Sequence, residues 1–257
     1  MQDARLEPSR AGSGVPHAWR ERLRRRARRS ARPAWLGTIR RTKPLSDEWG
    51  RDRGTPIDRY YIERFIGEHA HLVRGRVLEV MSSEYTYRFG EGVEVGDVLD
   101  IDADNAAATF VADLATADAV PSEAFDCFIL TQTLQYVFDV PAALRHAHRV
   151  LRPGGTLLCT VPSVSRIGRK YLETEYWRFT ASACSRLFGD AFPGGAVDVR
   201  ARGNALVCVA FLMGMACEEL RARELEPDDA YFPLVVTVRA TKAPVGVPEG
   251  EAASRPQ

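Results

Sequence analysis

The chain has 257 residues, 45% hydrophobic and 27% charged, with a formal net charge of +1. It can bury a sizeable core, most simply as one α/β domain with extensions. Its longest apolar stretch, residues 205–213, is too short to span a bilayer, and its five cysteines form no CxxC pair, which argues against a structural zinc site. The charge is uneven. Residues 1–43 carry 13 basic side chains against three acidic ones, which leaves the remainder mildly acidic.

Residues 1–45 are rich in Arg, Ala, Ser, Gly and Pro with few aliphatics, and read as a disordered arm. Within the arm, residues 19–35 (WRERLRRRARRSARPAW) could form a short basic helix. Such a segment suits an anionic membrane surface, a nucleic acid or a partner protein, or is simply a solvated tail. Nothing in it marks specific nucleic-acid recognition. No apolar run of secretory length occurs in these residues, so the expectation is a cytoplasmic protein without a transmembrane segment.

The ordered domain is expected over residues 46–242, with a Pro-, Gly- and Glu-rich disordered tail at 243–257. Thr55 can cap a helix that has Pro56 at its first position, with Tyr60, Tyr61, Ile62, Phe65 and Ile66 as its apolar positions. Strands are expected at 76–81, 95–102, 109–112, 125–131 and 156–161. A helix follows at 182–188, an edge strand at 197–201, a helix from the Asn204 cap to about 225, and a last strand at 231–240.

Residues 125–162, FDCFILTQTLQYVFDVPAALRHAHRVLRPGGTLLCTVP, are the most informative stretch. An apolar strand ends in Thr131, Gln132 and Thr133. Pro141 opens a helix whose apolar positions are Ala143, Leu144, Ala147, Val150 and Leu151. Arg152-Pro153-Gly154-Gly155 ends that helix and a second buried strand begins. Strand, crossover helix and strand make a parallel unit, and ligands on such sheets bind at the carboxyl ends of the strands.

Residues 75–162 resemble the class I S-adenosylmethionine-dependent methyltransferase domain of the small-molecule (type 11-like) subgroup. The matching pieces are VLE ending in Glu79, DVLDID ending in Asp102, VADL at 111–114, FDCFILTQTLQYVFD, HRVLRPGG and GTLLCTVP. The resemblance implies a Rossmann-like, doubly wound fold: a mostly parallel seven-stranded α/β sheet with one or two antiparallel closing strands. It also implies S-adenosyl-L-methionine as cofactor and a small-molecule acceptor, for which a sugar or glycolipid-precursor hydroxyl is the expectation.

An acid at the end of the second strand can accept both hydrogens of a ribose diol. Asp102 is the first choice, with Asp100 two residues earlier, inside the expected strand, and Asp104 just beyond. The resemblance places Asp113 and the Leu114 backbone near the adenine and Glu79 at the loop around the methionine moiety. Thr131 and Gln132 would face the methyl donor. The family's first loop is glycine-rich, whereas this chain reads VMSSEYTY after Glu79, with no glycine before Gly90. Either the loop takes a wider path, with Ser82 or Tyr85 on the ligand, or the pocket is occluded. The second case gives the alternative function, a non-catalytic methyltransferase-like binding or scaffold protein. On the acceptor side, Arg59 and Tyr60 could cover the pocket, Tyr136 and Trp177 line it, and Arg178 meet a phosphate or carboxylate. No convincing general base stands out among Gln132, Tyr136 and Asp139, and no metal is expected.

Overall fold

The computed structural model describes residues 40–244 together with Trp19, Leu23, Gly37 and Gly246. The expected basic helix at 19–35 and most of the carboxyl-terminal tail lie outside the described residues. The described residues from Lys43 onward form one compact unit.

In chain order the elements are α1 (Ile57–Glu68), β1 (Gly75–Val80), α2 (Glu84–Phe89), β2 (Val93–Asp100), β3 (Phe110–Val111), β4 (Phe125–Thr131) and α3 (Val140–Val150). There follow β5 (Leu151–Pro162), α4 (Ala181–Ala191), β6 (Ala196–Arg202), α5 (Ala205–Leu212), α6 (Ala222–Leu225) and β7 (Val235–Thr241). The strands form one seven-stranded sheet in the order β3-β2-β1-β4-β5-β7-β6. β7 runs antiparallel to both β5 and β6, and the pairs from β3 to β5 are parallel. This is the doubly wound, mostly parallel α/β sheet that the sequence implied.

The parallel strands are apolar on both faces because helices cover both. On one side Leu78, Phe128, Leu130 and Leu157 pack with Ala143, Leu144 and Ala147 of α3 and Cys184 and Phe188 of α4. On the other, Val77, Cys127, Ile129 and Leu158 pack against Ile62, Phe65 and Ile66 of α1. Cys127 and Cys159 are fully buried free thiols, and burial pushes both thiols upward, so they serve as small core residues.

Several expected boundaries move, each for a local reason. β2 stops at Asp100 rather than Asp102, because the Asp100 carboxylate accepts the Asp102 N–H at 3.1 Å and turns the chain out of the sheet. β5 starts at Leu151, directly after α3. Leu151 already pairs with Phe125, and the register shift beyond Phe125 absorbs the RPGG residues, with Gly154 at φ +80°. The cap of α1 is Pro56, not Thr55, whose hydroxyl instead donates to Glu218 at 2.8 Å. The helix after Asn204 ends at Leu212 instead of running to 225. Gly214, at φ +71°, carries the chain past Ser46, whose carbonyl oxygen would lie 2.3 Å from any Cβ there. The last strand begins at Val235 rather than Tyr231, which is 91% exposed.

Candidate functional site

The strand order reverses between β1 and β4, which makes the carboxyl ends of those two strands the topological switch point. Val80 pairs with Leu99 of β2, so Asp100 lies level with Met81, the first residue beyond β1. Glu79 pairs with Ile129, which carries the same level across to Thr131. Met81 (φ +69°) and Gln132 (φ +47°), the residues just past β1 and β4, both hold left-handed backbone without being glycine. Such conformations cost about 1–3 kcal/mol each and concentrate at functional sites. Here they follow the two strands that border the switch point.

Glu79 is buried, and its carboxylate accepts the Tyr85 N–H at 3.1 Å, the Thr86 N–H at 2.7 Å and the Thr86 hydroxyl at 2.7 Å. Burial pushes this carboxyl above its ordinary range and the three hydrogen bonds pull against the rise. Its work is to fix the start of α2, and with it the loop after β1. Ser82 is half-buried in that loop. Tyr85 turns from the cleft into the apolar layer under α1, 6.0 Å from the Phe89 ring and beneath the Arg59 guanidinium at 5.7 Å. Burial pushes its phenol up to about 12.

At the end of β2, Asp100 is half-buried while Asp102 and Asp104 are exposed. The Asp100 carboxylate accepts the Asn105 side-chain amide at 2.6 Å, and the same amide nitrogen donates to the Met81 carbonyl at 2.8 Å. Asp102 accepts the Asp104 N–H at 2.9 Å. Asp113 caps the short turn Leu114–Thr116 through the Ala115 N–H at 2.8 Å, and Leu114 is buried beside it.

Across the switch point, the Gln132 N–H donates to the Thr160 carbonyl at 2.8 Å, and the Gln135 side chain donates to the Gln132 carbonyl at 2.8 Å. Thr131 completes the turn by accepting the Thr133 hydroxyl at 2.9 Å. The Gln132 Nε2, Gln135 Oε1 and Thr160 Oγ1 atoms are buried without a partner. Buried polar atoms are nearly always paired, so three orphans at the ends of β4 and β5 mark a place that a ligand or water completes.

Beyond these orphans stands an aromatic wall. The Tyr136 and Tyr171 rings are 4.7 Å apart, and Phe138 meets Tyr176 at 5.3 Å and Trp177 at 6.0 Å. Phe138 is 70% exposed. The Trp177 indole N–H donates to the Val137 carbonyl at 3.1 Å, which fixes its plane. Burial pushes the Tyr136 phenol up to about 12, so it is a poor base near neutral pH.

Two expected acceptor-side groups have other engagements. Arg178 donates to the carbonyls of Trp177 (2.8 Å) and Arg166 (3.0 Å) and pairs with the buried Glu175 carboxylate at 2.8 Å. Glu175 also takes the Gly168 N–H at 2.9 Å. Arg178 therefore organises its own loop rather than presenting a free fork to an anion. Arg59 pairs with Glu63 at 2.7 Å and with Glu84, tying α1 to α2, and Tyr60 packs edge-on against Tyr61 at 5.1 Å.

Asp58, in the first turn of α1, is half-buried and takes only backbone hydrogen bonds; burial pushes its carboxyl up to about 6. A folded pKa above the unfolded one means that the native state holds the proton more tightly. That contribution to stability is complete below about pH 4 and is lost as pH rises through about 6. Asp58→Asn should therefore raise stability near pH 7 by about 1 kcal/mol, since water relieves part of the burial cost, and leave it unchanged at pH 4. Urea unfolding at the two pH values measures the difference.

Sequence reasoning missed Asn105, Gln135, Phe138 and Tyr171, and set Asp100 behind Asp102. Asn105 shows one local signal, an Asx turn in which it accepts the Ala107 N–H at 3.0 Å. The concave surfaces at the amino ends of the strands, lined by Arg74, Asp126 and Arg152, are separate from this site; there Arg152 pairs with Asp126 at 2.7 Å.

Residues 74–191 match a family described as "Methyltransferase domain". The chain carries a class I methyltransferase domain. The cofactor of this class is S-adenosylmethionine, as the sequence resemblance implied. Among solved structures, the cyclase SpnF shares 17% identity, with 76% of this chain and 84% of that one covered and a TM-score of 0.51. Phosphoethanolamine N-methyltransferase 2 of Haemonchus contortus, solved with S-adenosyl-L-methionine, shares 14% identity over 72% of this chain and 52% of that one, at a TM-score of 0.50. An S-adenosylmethionine-dependent methyltransferase from Mesorhizobium loti is 17% identical over 72% of this chain and 98% of that one, at a TM-score of 0.48. No curated protein matches the sequence. The methyltransferase fold thus also carries a cyclase, so activity has to be argued from the site. Among the described residues, no helix is long and apolar enough to cross a membrane, and no cluster of His, Cys, Asp and Glu has metal-holding geometry.

Proposed function

We propose that this chain is an S-adenosylmethionine-dependent methyltransferase that acts on a small-molecule acceptor with a hydroxyl-bearing, sugar-like face. The observation that carries the reading is the pair of left-handed non-glycine residues, Met81 and Gln132, flanking the switch point, with Asp100 level with Met81.

The residues present fit the cofactor. Asp100 offers a half-buried carboxylate to a ribose diol, in the role that the sequence gave to Asp102. The unpartnered Gln132 amide donor suits the acceptor oxygens of the amino-acid moiety. Glu79 shapes the intervening loop from behind. Asp113 and Leu114 remain the candidates for the adenine edge, and Ser82 and Thr131 for the polar rim. When bound, S-adenosylmethionine supplies an electrophilic methyl group on a sulfonium.

What the protein supplies is placement. Holding the acceptor oxygen in line at about 3–3.5 Å converts a bimolecular encounter into a unimolecular one. The aromatic wall of Tyr136, Phe138 and Trp177 is suited to that task, because ring faces pack on the apolar face of a sugar. With Arg178 engaged in its own loop, the wall favours a neutral acceptor over a phosphorylated one. Phe138→Ala and Trp177→Ala should each raise the acceptor KM about tenfold, while affinity for S-adenosylhomocysteine stays within about twofold. Steady-state kinetics beside calorimetry separate the two effects.

The reading is tested by isothermal titration of the full chain with S-adenosylhomocysteine, followed by transfer of labelled methyl to a panel of sugars and glycolipid precursors. Saturable one-site binding and labelled product are expected. No heat at millimolar ligand would falsify the assignment, and binding without transfer to any acceptor would favour a binding-only role. The basic arm at 1–43 is proposed as a contact for an anionic surface or protein, and a cytoplasmic location accompanies that reading.

A further inference from the structure

We infer that Asn105 is a positioning residue that takes over the work of the missing glycine: it pins the left-handed turn at Met81 and joins that turn to Asp100. The inference rests on the cofactor reading above and goes beyond it, because it names the device that keeps a glycine-free loop compatible with a ligand.

Met81 sits in the left-handed region, which glycine occupies freely and which places the Cβ of any other residue against its own backbone. Something outside the turn has to offset that cost. The Met81 N–H donates to the Leu99 carbonyl at 2.9 Å, which continues the β1–β2 ladder by one bond. Among the described residues, the Met81 carbonyl accepts no backbone hydrogen bond. The Asn105 amide meets it at 2.8 Å and spends its other hydrogen on Asp100 at 2.6 Å. An amide nitrogen has two hydrogens, so both are used.

The contact spans 24 residues and ties the end of β1 to the end of β2. Asn105 is itself held. Its side-chain oxygen accepts the Ala107 N–H at 3.0 Å, its own N–H donates to the Asp102 carbonyl at 3.2 Å, and the Ala108 N–H donates to its carbonyl at 3.0 Å. The side chain therefore enters from a fixed loop and reaches two groups on different strands. One is the strained turn and the other is the acid that would meet the ribose. Met81 itself is 68% exposed, so its side chain does not hold the turn by packing. The strut does.

A double-mutant cycle reads this coupling in S-adenosylhomocysteine affinity. Asn105→Ser keeps an acceptor for the Ala107 N–H but cannot reach Met81 or Asp100. In the natural background it should weaken binding about tenfold. In a Met81→Gly background, where the turn needs no strut, the same change should cost only about twofold to threefold, the residue of losing orientation at Asp100. Met81→Gly alone supplies the reference affinity for the second pair of the cycle. Melting temperatures of the four proteins without ligand establish that each is folded, and Asn105→Ala replaces the serine variant if that one is not.

An equal loss in both backgrounds overturns the proposal, because the effect of Asn105 would then not pass through the turn. So does no loss in either. A natural chain that fails to bind at all speaks against the cofactor reading instead, so the two failures are distinguishable.

Discussion

Asp100→Ala should weaken S-adenosylhomocysteine binding about 100-fold, whereas Asp102→Ala should weaken it less than about threefold. A hydrogen bond to a charged group contributes about 1.5–3 kcal/mol, and a ribose diol offers two to one carboxylate. Losing both from Asp100 removes at least about 3 kcal/mol, or roughly two orders of magnitude in affinity. Asp102 is exposed, lies past the strand end and takes a neighbouring backbone N–H, so its removal disturbs only a surface turn. The Asp102→Ala variant also controls for the local loss of a negative charge. Calorimetry on both variants measures the contrast, and the reverse order of effects would return the ribose role to Asp102.

Glu79→Ala has the largest expected effect on stability. The change leaves the Tyr85 N–H, the Thr86 N–H and the Thr86 hydroxyl without their acceptor, and Thr86 is fully buried. Each buried donor left unpaired costs about 1–3 kcal/mol, so a loss of about 4 kcal/mol in unfolding free energy is expected. Glu79→Gln should recover only part of it. Each carboxylate oxygen accepts at least one hydrogen, so an amide NH2 necessarily faces a donor. Urea unfolding with the fitted slope held common to the three proteins gives the values. A loss below about 1 kcal/mol for Glu79→Ala would mean that the loop after β1 is fixed by other contacts.

Most of the architecture was legible because it rests on local patterns. The β4–α3–β5 unit was readable from its apolar runs and from Pro141 in the first turn of α3; the Asp139 cap of that helix, at 2.9 Å, emerged only in the fold. The ends of β1 and β4 were readable for the same reason, whereas Glu79 was singled out by the family resemblance. The errors fell where a side chain or a distant backbone group decides. Alternation along 98–102 runs on smoothly in the sequence, yet the Asp100 carboxylate turns the chain by capturing the N–H two residues ahead. That capture moved the strand-end acid from Asp102 to Asp100.

Long-range partners were harder still. Arg178 follows the strand like a free anion ligand, and only the folded loop reveals that the carbonyls of Arg166 and Trp177 and the Glu175 carboxylate use its donors. The glycine-free loop read as either a wider path or a blocked pocket. The fold provides a third arrangement, in which Met81 adopts the backbone that glycine would and Asn105, in the loop after β2, donates to its carbonyl. No pattern within residues 79–90 contains that information, because the brace comes from 24 residues away.

A crystal structure of the full chain with S-adenosylhomocysteine decides between Asp100 and Asp102. The nucleoside is expected between the carboxyl ends of β1 and β4, with both ribose hydroxyls on the Asp100 carboxylate and the Met81 turn still left-handed with Asn105 against it. Ribose hydroxyls on Asp102, or a ligand bound away from the switch point, would contradict that placement.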